Sequence, residues 1–283
     1  MNPLVSTEWL AARLGAVDVR IADVRWYMDP ARRGRDAYAA GHIPGAVFFD
    51  LDVDLSAPGG GRGRPAGRHP WPGAEQVERV MSAAGIGPRT QVVAYDDQAG
   101  AIAARLWYLL GAYGHDAVAV LDGGLAKWTA EGRALETAPF APPASIFTAR
   151  PREGWVLDKA AMLREGARAL VLDARAGARY RGESDPIDPR AGHIPGARSA
   201  PYAENLTEGT VPVLRTPAQL RARFEVLGAG AQPPIVYCGS GVTACHDLLA
   251  LEVAGLPRGR LYAGSWSEWS ADASLPLATG GEG

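Results

Sequence analysis

The segment around Cys238 combines a possible nucleophile with a backbone suited to hold negative charge. Residues 235–237 are apolar and read as the end of a strand, and Cys238 follows them directly. Glycines at 239 and 241 come next, and a helical pattern then runs over 242–254. A helix start offers unpaired N–H groups and partial positive charge, and glycines let the loop curl around the sulfur. This setting predicts that Cys238 is a nucleophile whose thiolate or persulfide is held by backbone N–H groups.

A purely structural role is the competing interpretation, because most cysteines behave as small buried hydrophobic residues. The glycines of the loop favour the catalytic interpretation for Cys238. Cys245 lies in the helix that follows, and core packing is the role expected there. Two cysteines in 283 residues do not form a disulfide framework, so both thiols are expected to be reduced.

The chain contains two copies of one sequence pattern. The hexapeptide Gly-His-Ile-Pro-Gly-Ala occurs at 41–46 and again at 192–197. Three further matches occur in the same order, joining 20–25 to 170–175, 92–96 to 234–238, and 122–128 to 263–269. Such collinear matches indicate a duplicated fold. Asp96 stands where the second copy has Cys238, and a carboxylate cannot accept sulfur, so the second copy is predicted to carry the chemistry.

The first copy is longer than the second by an insertion. The copies are 151 residues apart at the hexapeptide and 142 apart at the strand residues Tyr95 and Tyr237. The nine additional residues fall in a loop around 56–73 that is rich in Gly, Pro and Arg. An insertion of this kind is either an inert surface loop or a segment that completes the site of the other copy. His69 lies in this loop and would give the insertion a purpose.

Strands and helices alternate along both copies. This pattern predicts an α/β fold in which each copy forms a mainly parallel sheet with helices on both faces. The expected domains are 1–137 and 154–283, joined by a linker at 138–153 that contains four prolines. The predicted strands lie at 19–24, 46–51, 92–95, 117–121, 170–173, 234–237 and 260–263, and the predicted helices at 6–14, 74–84, 99–111, 158–165, 217–227 and 242–254.

Bulk composition argues against several classes of function. The formal net charge is -2, so no global field attracts nucleic acid or an anionic membrane surface. No apolar run approaches the ~20 residues that a membrane-spanning helix needs, and the first residues show no secretory signal. We therefore expect a cytoplasmic protein without nucleic-acid or membrane partners.

Taken together, these residues resemble the tandem-domain rhodanese and mercaptopyruvate sulfurtransferase family. The resemblance extends over nearly the whole chain, and its most specific part is the loop Cys-Gly-Ser-Gly-Val-Thr-Ala at 238–244. That loop is similar to the active loop of mercaptopyruvate enzymes, whereas thiosulfate enzymes usually carry basic side chains directly after the cysteine. The resemblance implies two rhodanese-like domains and a sulfurtransferase that favours mercaptopyruvate as its donor.

The same resemblance implies how the substrate is bound. Arg179 matches the family arginine that holds the substrate carboxylate, and a guanidinium fork suits a carboxylate better than other side chains. A second family arginine has no well-spaced match here, and Arg190 or Arg181 is the candidate for its role. The remaining substrate-binding residues are those of the loop, Gly239, Gly241, Val242 and Thr243.

A proton relay is also implied, with Asp52, His69 and Ser240 as its members. Cys238 would take sulfur from mercaptopyruvate as a persulfide, and the relay would protonate the departing pyruvate enolate. A thiol such as reduced thioredoxin, or cyanide, would then accept the sulfur. No cofactor or metal is implied, since the Cys and His spacings match no zinc site.

Three other functions stay open at this point. A thiosulfate:cyanide sulfurtransferase has the same fold and differs in the charge beside the cysteine. A cysteine phosphatase of rhodanese-like fold would need a longer loop and an arginine near the position of Ala244. A non-catalytic binding module is the third, and the intact cysteine loop argues against it.

Overall fold

A computed structural model of the protein describes residues 1–281 and divides the chain into two compact units. The first unit contains Met1–Leu55, Pro72–Arg152 and Thr207–Leu214, and the second contains Ser56–Trp71, Glu153–Leu206 and the residues from Arg215 onward. The loop that lengthens the first copy is therefore part of the second unit. The domain boundaries expected from the sequence, 1–137 and 154–283, stay a prediction.

Each unit is built on one five-stranded parallel sheet. The strands are β1 (Leu4–Val5), β2 (Val19–Asp23), β3 (Ala46–Phe48), β4 (Gln91–Tyr95), β5 (Val118–Leu121), β6 (Val156–Leu157), β7 (Val171–Asp173), β8 (Ala197–Ser199), β9 (Ile235–Tyr237) and β10 (Arg260–Tyr262). Their order is β1-β5-β4-β2-β3 in the first unit and β6-β10-β9-β7-β8 in the second. All neighbouring strands are parallel, which confirms the prediction of a duplicated α/β fold.

Helices connect the strands in both units. The first unit has α1 (Thr7–Ala11), α2 (Gly34–Ala40), α3 (Ala74–Ala83), α4 (Ala103–Ala112) and α5 (Gly124–Ala130). The second has α6 (Lys159–Glu165), α7 (Gly177–Arg181), α8 (Pro217–Val226), α9 (Ala244–Val253) and α10 (Ser265–Ala271), with 3-10 turns at Gly166–Arg168 and Tyr202–Asn205. The hydroxyl of Ser6 accepts the N–H of Trp9 at 3.2 Å, which confirms the predicted start of α1.

The elements that the sequence did not predict are short. They are β1 and β6 with two residues each, β8 with three, α7 with five, and α2, α5 and α10 with seven each, so they leave little hydrophobic periodicity. Helix α4 begins at Ala103, later than the predicted 99, because the residues before it wrap around Asp96. Within residues 1–281, no helix has the length and apolar composition needed to cross a membrane.

The repeated hexapeptide forms the same turn in both units. His42 and His193 are buried and stack on Tyr38 and Tyr180, with ring centroids 3.8 and 3.7 Å apart. In each pair, Nδ1 of the histidine lies 2.8 Å from the carbonyl oxygen of that tyrosine. These contacts hold the turns that precede β3 and β8, so both histidines have a structural role.

Candidate active site

Cys238 lies at the carboxyl end of β9, the central strand of the second sheet, and its side chain is 1% exposed. The loop that follows turns at Gly241, whose φ of 73° lies in the left-handed region that favours glycine. Several loop N–H groups have no acceptor within the described part of the chain, namely those of Gly239, Ser240, Val242, Thr243 and Ala244. These groups are available to an anion beside the sulfur.

The first unit shows how the same strand–loop–helix geometry holds an anion. Asp96 follows β4 as Cys238 follows β9, and its carboxylate is fully buried. Four backbone N–H groups donate to its oxygens at 2.7–2.9 Å, those of Gln98, Gly100, Ile102 and Ala103. Burial raises the pKa of Asp96, and the four N–H groups act in the opposite direction. The N–H groups of such a loop therefore offset part of the cost of burying a negative charge.

The start of α10 fixes the backbone of the cysteine. The N–H of Cys238 donates to Oγ of Ser265 at 3.1 Å, and its carbonyl accepts the N–H of Trp266 at 2.9 Å. The N–H of Ser267 donates to the carbonyl of Gly239 at 2.8 Å. The repeated segment at 263–269 thus holds the backbone of Cys238 at two points and that of Gly239 at one.

Ser265, which accepts the N–H of Cys238, has a left-handed backbone conformation of the kind that glycine adopts most freely. Its φ is 53°, and Gly124, the matching residue of the first unit, has a φ of 55°. The serine hydroxyl accepts from Cys238 and donates to the carbonyl of Tyr262 at 2.9 Å. These two hydrogen bonds offset the cost of a left-handed serine.

We expect Ser265→Ala to lower the free energy of unfolding by about 1–3 kcal/mol, because it leaves the buried Cys238 N–H without its acceptor. Ser265→Gly loses the same bond but relieves the left-handed backbone, so it should be milder by about 1 kcal/mol. Urea unfolding of both variants beside the wild type measures the difference. A glycine variant less stable than the alanine variant would contradict this explanation.

His69 and Ser240, two members of the predicted relay, lie together in the second unit. Nδ1 of His69 is 2.8 Å from Oγ of Ser240, and both side chains are buried. Asp52 lies in the first unit, where it is exposed and accepts the Nε1–H of Trp26 at 2.9 Å. The link from Asp52 to His69 stays a prediction.

Two arginines and two aspartates form a cluster beside the cysteine loop. Nη2 of Arg179 lies 3.1 Å from both oxygens of Asp185 and 2.8 Å from Oδ2 of Asp188. Nη1 of Arg68 pairs with the other oxygen of Asp188. Burial raises the pKa of Asp188, and the two arginines act against that shift. The aspartates therefore fix one terminal nitrogen of each guanidinium.

The other terminal nitrogen of each guanidinium lies near Gly239. A Cβ built on this glycine would stand 2.5 Å from Nη2 of Arg68 and 3.4 Å from Nη1 of Arg179. The backbone of Arg68 is also held, since its N–H donates to Oγ of Ser267 at 3.1 Å. Glycine directly after Cys238 thus leaves the space that the two guanidinium groups occupy.

Arg190 is not placed as the sequence suggested. Its guanidinium donates at 2.6–3.0 Å to backbone carbonyl oxygens at and beyond the end of α10, those of Trp269, Ser270, Asp272 and Leu275. It thereby satisfies carbonyls that a helix end leaves unpaired. Arg181, the other candidate, is exposed and pairs with Glu183. The structure gives both arginines partners other than a substrate.

Helix α9, which begins at the cysteine loop, contains a buried carboxyl group. Asp247 accepts the Nδ2–H of Asn205 at 2.6 Å through Oδ1, and within the described chain its Oδ2 has no hydrogen-bond partner. Arg223 donates to Oδ1 of Asn205 at 2.9 Å, so the amide of Asn205 links the guanidinium of Arg223 to the carboxyl group of Asp247. Burial raises the pKa of Asp247 to about 7, against the lowering effects of Arg223 and Asn205.

This carboxyl group makes the fold less stable as the pH rises. Below the ordinary value of 3.8 it is protonated in both the folded and the unfolded chain. Between that value and about 7, Asp247 ionises in the unfolded chain but stays protonated in the folded chain, which lowers the free energy of unfolding. Above this pH window the group is ionised in both states and the loss of stability is constant. Stability is therefore lost with rising pH across that window.

We expect Asp247→Asn to raise the free energy of unfolding by roughly 2–3 kcal/mol more near pH 8 than near pH 5. The amide keeps an acceptor for Asn205 and carries no charge to bury. Urea unfolding at the two pH values measures this, and Glu225→Gln, at an exposed position of α8, is the matched control. Equal effects of Asp247→Asn at both pH values would show that burial does not raise this pKa.

Comparisons with known proteins agree with this architecture. The family model described as "Rhodanese-like domain" matches residues 6–131 and 157–272. The chain is similar to the probable 3-mercaptopyruvate sulfurtransferase of Pseudomonas aeruginosa, with 46% identity over 98% of each chain. It is also similar to the thiosulfate sulfurtransferase of Bos taurus, with 35% identity over 94% of this chain and 91% of the relative.

The chain is also similar to a solved structure. The 3-mercaptopyruvate sulfotransferase SseA of Escherichia coli matches with a TM-score of 0.80 and 33% identity, over 94% of this chain and 99% of that one. Relatives named for either sulfur donor thus share the fold over nearly its whole length. The choice of donor has to be argued from the residues around the nucleophile.

Proposed function

Because the chain belongs to the rhodanese-like domain family, we propose that it is a sulfurtransferase that takes sulfur from 3-mercaptopyruvate and carries it on Cys238. One observation carries the proposal: the buried thiol precedes a loop whose N–H groups have no acceptor within residues 1–281, and uncharged Gly239 and Ser240 follow it directly. The first unit has Asp96 in place of the nucleophile and acts as a structural partner.

In the first half-reaction, the Cys238 thiolate attacks the thiol sulfur of mercaptopyruvate. A sulfur–sulfur bond forms, the bond between that sulfur and the methylene carbon breaks, and its electron pair leaves on pyruvate as the enolate. The enolate takes up one proton and departs as pyruvate. The loop N–H groups then hold the Cys238 persulfide as they would hold the thiolate.

Charge on the donor is matched by side chains beside the loop. Arg179, with Nη1 near Gly239, is positioned to hold the donor carboxylate by a charge-assisted bond. His69 and Ser240, at hydrogen-bond distance from each other, supply the proton for the enolate, with Asp52 as the third member of the relay. The loop residues Gly239, Gly241, Val242 and Thr243 complete the substrate-binding set.

In the second half-reaction, a nucleophile attacks the outer sulfur of the persulfide and restores the Cys238 thiolate. A low-molecular thiol would leave as a persulfide, cyanide would leave as thiocyanate, and reduced thioredoxin would release sulfide as its two thiols form a disulfide. Thioredoxin and free thiols are abundant in the reducing cytoplasm, which is the compartment we propose for the reaction.

Thiosulfate is the second candidate donor, and the similarity to a bovine enzyme named for it favours this candidate. The neutral residues at 239 and 240 argue that thiosulfate is the poorer donor. Initial rates with mercaptopyruvate and with thiosulfate, measured on one sample with cyanide as acceptor, test the proposal. We expect the higher kcat/KM with mercaptopyruvate. A higher value with thiosulfate would reverse the assignment of the donor.

A further inference from the structure

The buried cluster beside the cysteine loop contains one arginine that the proposed mechanism does not use. Arg68 stands in the segment Ser56–Trp71, which packs within the second unit, and its side chain is only 10% exposed. We infer that Arg68 is the second guanidinium that binds the donor carboxylate, in place of Arg190 and Arg181. This inference rests on the proposed function and names a specificity-determining residue for it.

The orientation of the guanidinium is the first argument. Asp188 pairs with Nη1 of Arg68 through one oxygen and with Nη2 of Arg179 through the other. A single carboxylate thus aligns two guanidinium groups, and the opposite terminal nitrogens, Nη2 of Arg68 and Nη1 of Arg179, both lie near Gly239. Two neighbouring N–H donors from different arginines suit the two oxygens of a carboxylate.

Unused hydrogen-bond capacity is the second argument. Nε of Arg68 and Nε of Arg179 are buried, and within the described chain neither has a hydrogen-bond partner. The Nη2 group of Arg68 and the Nη1 group of Arg179 likewise donate to no acceptor in residues 1–281. Buried guanidinium nitrogens without partners are costly, and an anionic substrate would satisfy them.

The position of Gly239 is the third argument. In mercaptopyruvate, two carbon atoms separate the sulfur from the carboxylate, so a donor whose sulfur reaches Cys238 can extend its carboxylate over the next residue. That residue is Gly239, and a Cβ there would stand 2.5 Å from Nη2 of Arg68. The absent side chain leaves room for the guanidinium of Arg68, whose Nη2 then lies beside the residue that the donor carboxylate would reach.

The competing explanation is that Arg68 only anchors its loop through Asp188. A donor without a carboxylate separates the two explanations. Mercaptoacetone keeps the thiol and the ketone of mercaptopyruvate and has a methyl group in place of the carboxylate. An arginine that binds the carboxylate matters for mercaptopyruvate alone, whereas an arginine that anchors the loop matters for both donors.

We expect Arg68→Ala to raise KM for mercaptopyruvate roughly 10- to 100-fold, the usual effect of losing a charge-assisted contact. The kcat/KM with mercaptoacetone should stay within about twofold of wild type. Arg179→Ala should show the same donor-selective loss, and Arg64→Ala, at an exposed position of the same loop, should change neither donor. Thiocyanate formation with cyanide as acceptor measures all of these rates.

Equal losses of Arg68→Ala with both donors, or no loss with either, would overturn the inference. Arg68→Lys is the second variant, in case Arg68→Ala does not fold. It keeps the positive charge but lacks the planar guanidinium fork, so it should lose part of its activity with mercaptopyruvate and none with mercaptoacetone. Wild-type turnover is measured first. A wild type inactive with mercaptopyruvate refutes the proposed function, whereas an active wild type with a silent Arg68→Ala refutes the role of Arg68 alone.

Discussion

Cys238→Ser is expected to abolish sulfur transfer from either donor while leaving the fold intact. In the proposed mechanism, the thiol that follows β9 bonds to the transferred sulfur, and a serine hydroxyl does not form a persulfide. The substitution changes one atom in a side chain that is 1% exposed, so the packing around it should be kept. Thiocyanate formation measures the loss, and thermal unfolding checks the fold.

Cys245→Ser is the matched control for this result. Cys245 is fully buried in α9, and its Sγ lies 3.4 Å from the carbonyl oxygen of Gly241, where a serine hydroxyl can donate the same bond. We expect turnover close to that of the wild type. Activity that survives in Cys238→Ser and disappears in Cys245→Ser would move the nucleophile to Cys245.

His69→Ala should slow turnover of mercaptopyruvate by about 10²–10⁴-fold, the range for a lost general acid–base group. The leaving group from mercaptopyruvate is pyruvate enolate, which needs a proton. Nδ1 of His69 is 2.8 Å from the hydroxyl of Ser240, two residues after Cys238. The leaving group from thiosulfate is sulfite, which needs no proton, so turnover of thiosulfate should fall much less. The ratio of rates with the two donors is the quantity to measure.

Ser240→Ala should show the same donor-selective loss, and the double variant should be little worse than either single one, because a relay acts as a unit. Arg64→Ala, an exposed change in the loop that carries His69, serves as the control for loop disturbance. An equal loss of both donors in His69→Ala would mean that His69 holds the loop, and the relay would be abandoned.

The duplicated fold could be predicted because its signals are local and repeated. The apolar strands and the hexapeptide turns recur at nearly constant spacing, and the two sheets have the same strand order. Cys238 could be singled out as a candidate because strand, glycine loop and helix follow one another in the sequence, and the structure has this order in β9 and α9. The insertion around His69 stood out only when the two copies were compared.

Side-chain positions within the cluster could not be read from the sequence. Arg62, Arg64 and Arg68 stand close together in one loop, and residue type does not tell which of them is buried. Arg190 was one of two candidates although its spacing does not match the family well, and in the structure the carbonyls at the end of α10 take up its hydrogen bonds. Such pairings depend on contacts between residues far apart in sequence, which hydrophobic periodicity does not encode.

The role of Ser265 could not be predicted either, because it depends on a backbone conformation and on a contact with Cys238, which is distant in sequence. The repeat comparison aligned it with Gly124, and the sequence alone does not show that both residues are left-handed. Only the structure shows that the serine hydroxyl accepts the N–H of the nucleophile.

The most direct test of the proposed Cys238 persulfide is to locate the transferred sulfur. The protein is treated with mercaptopyruvate without an acceptor, the thiols are alkylated, and the peptide containing both cysteines is fragmented by tandem mass spectrometry. We predict one additional sulfur atom on Cys238 and none on Cys245. Sulfur on Cys245, or no added sulfur in a sample that turns over the donor, would contradict a persulfide at Cys238.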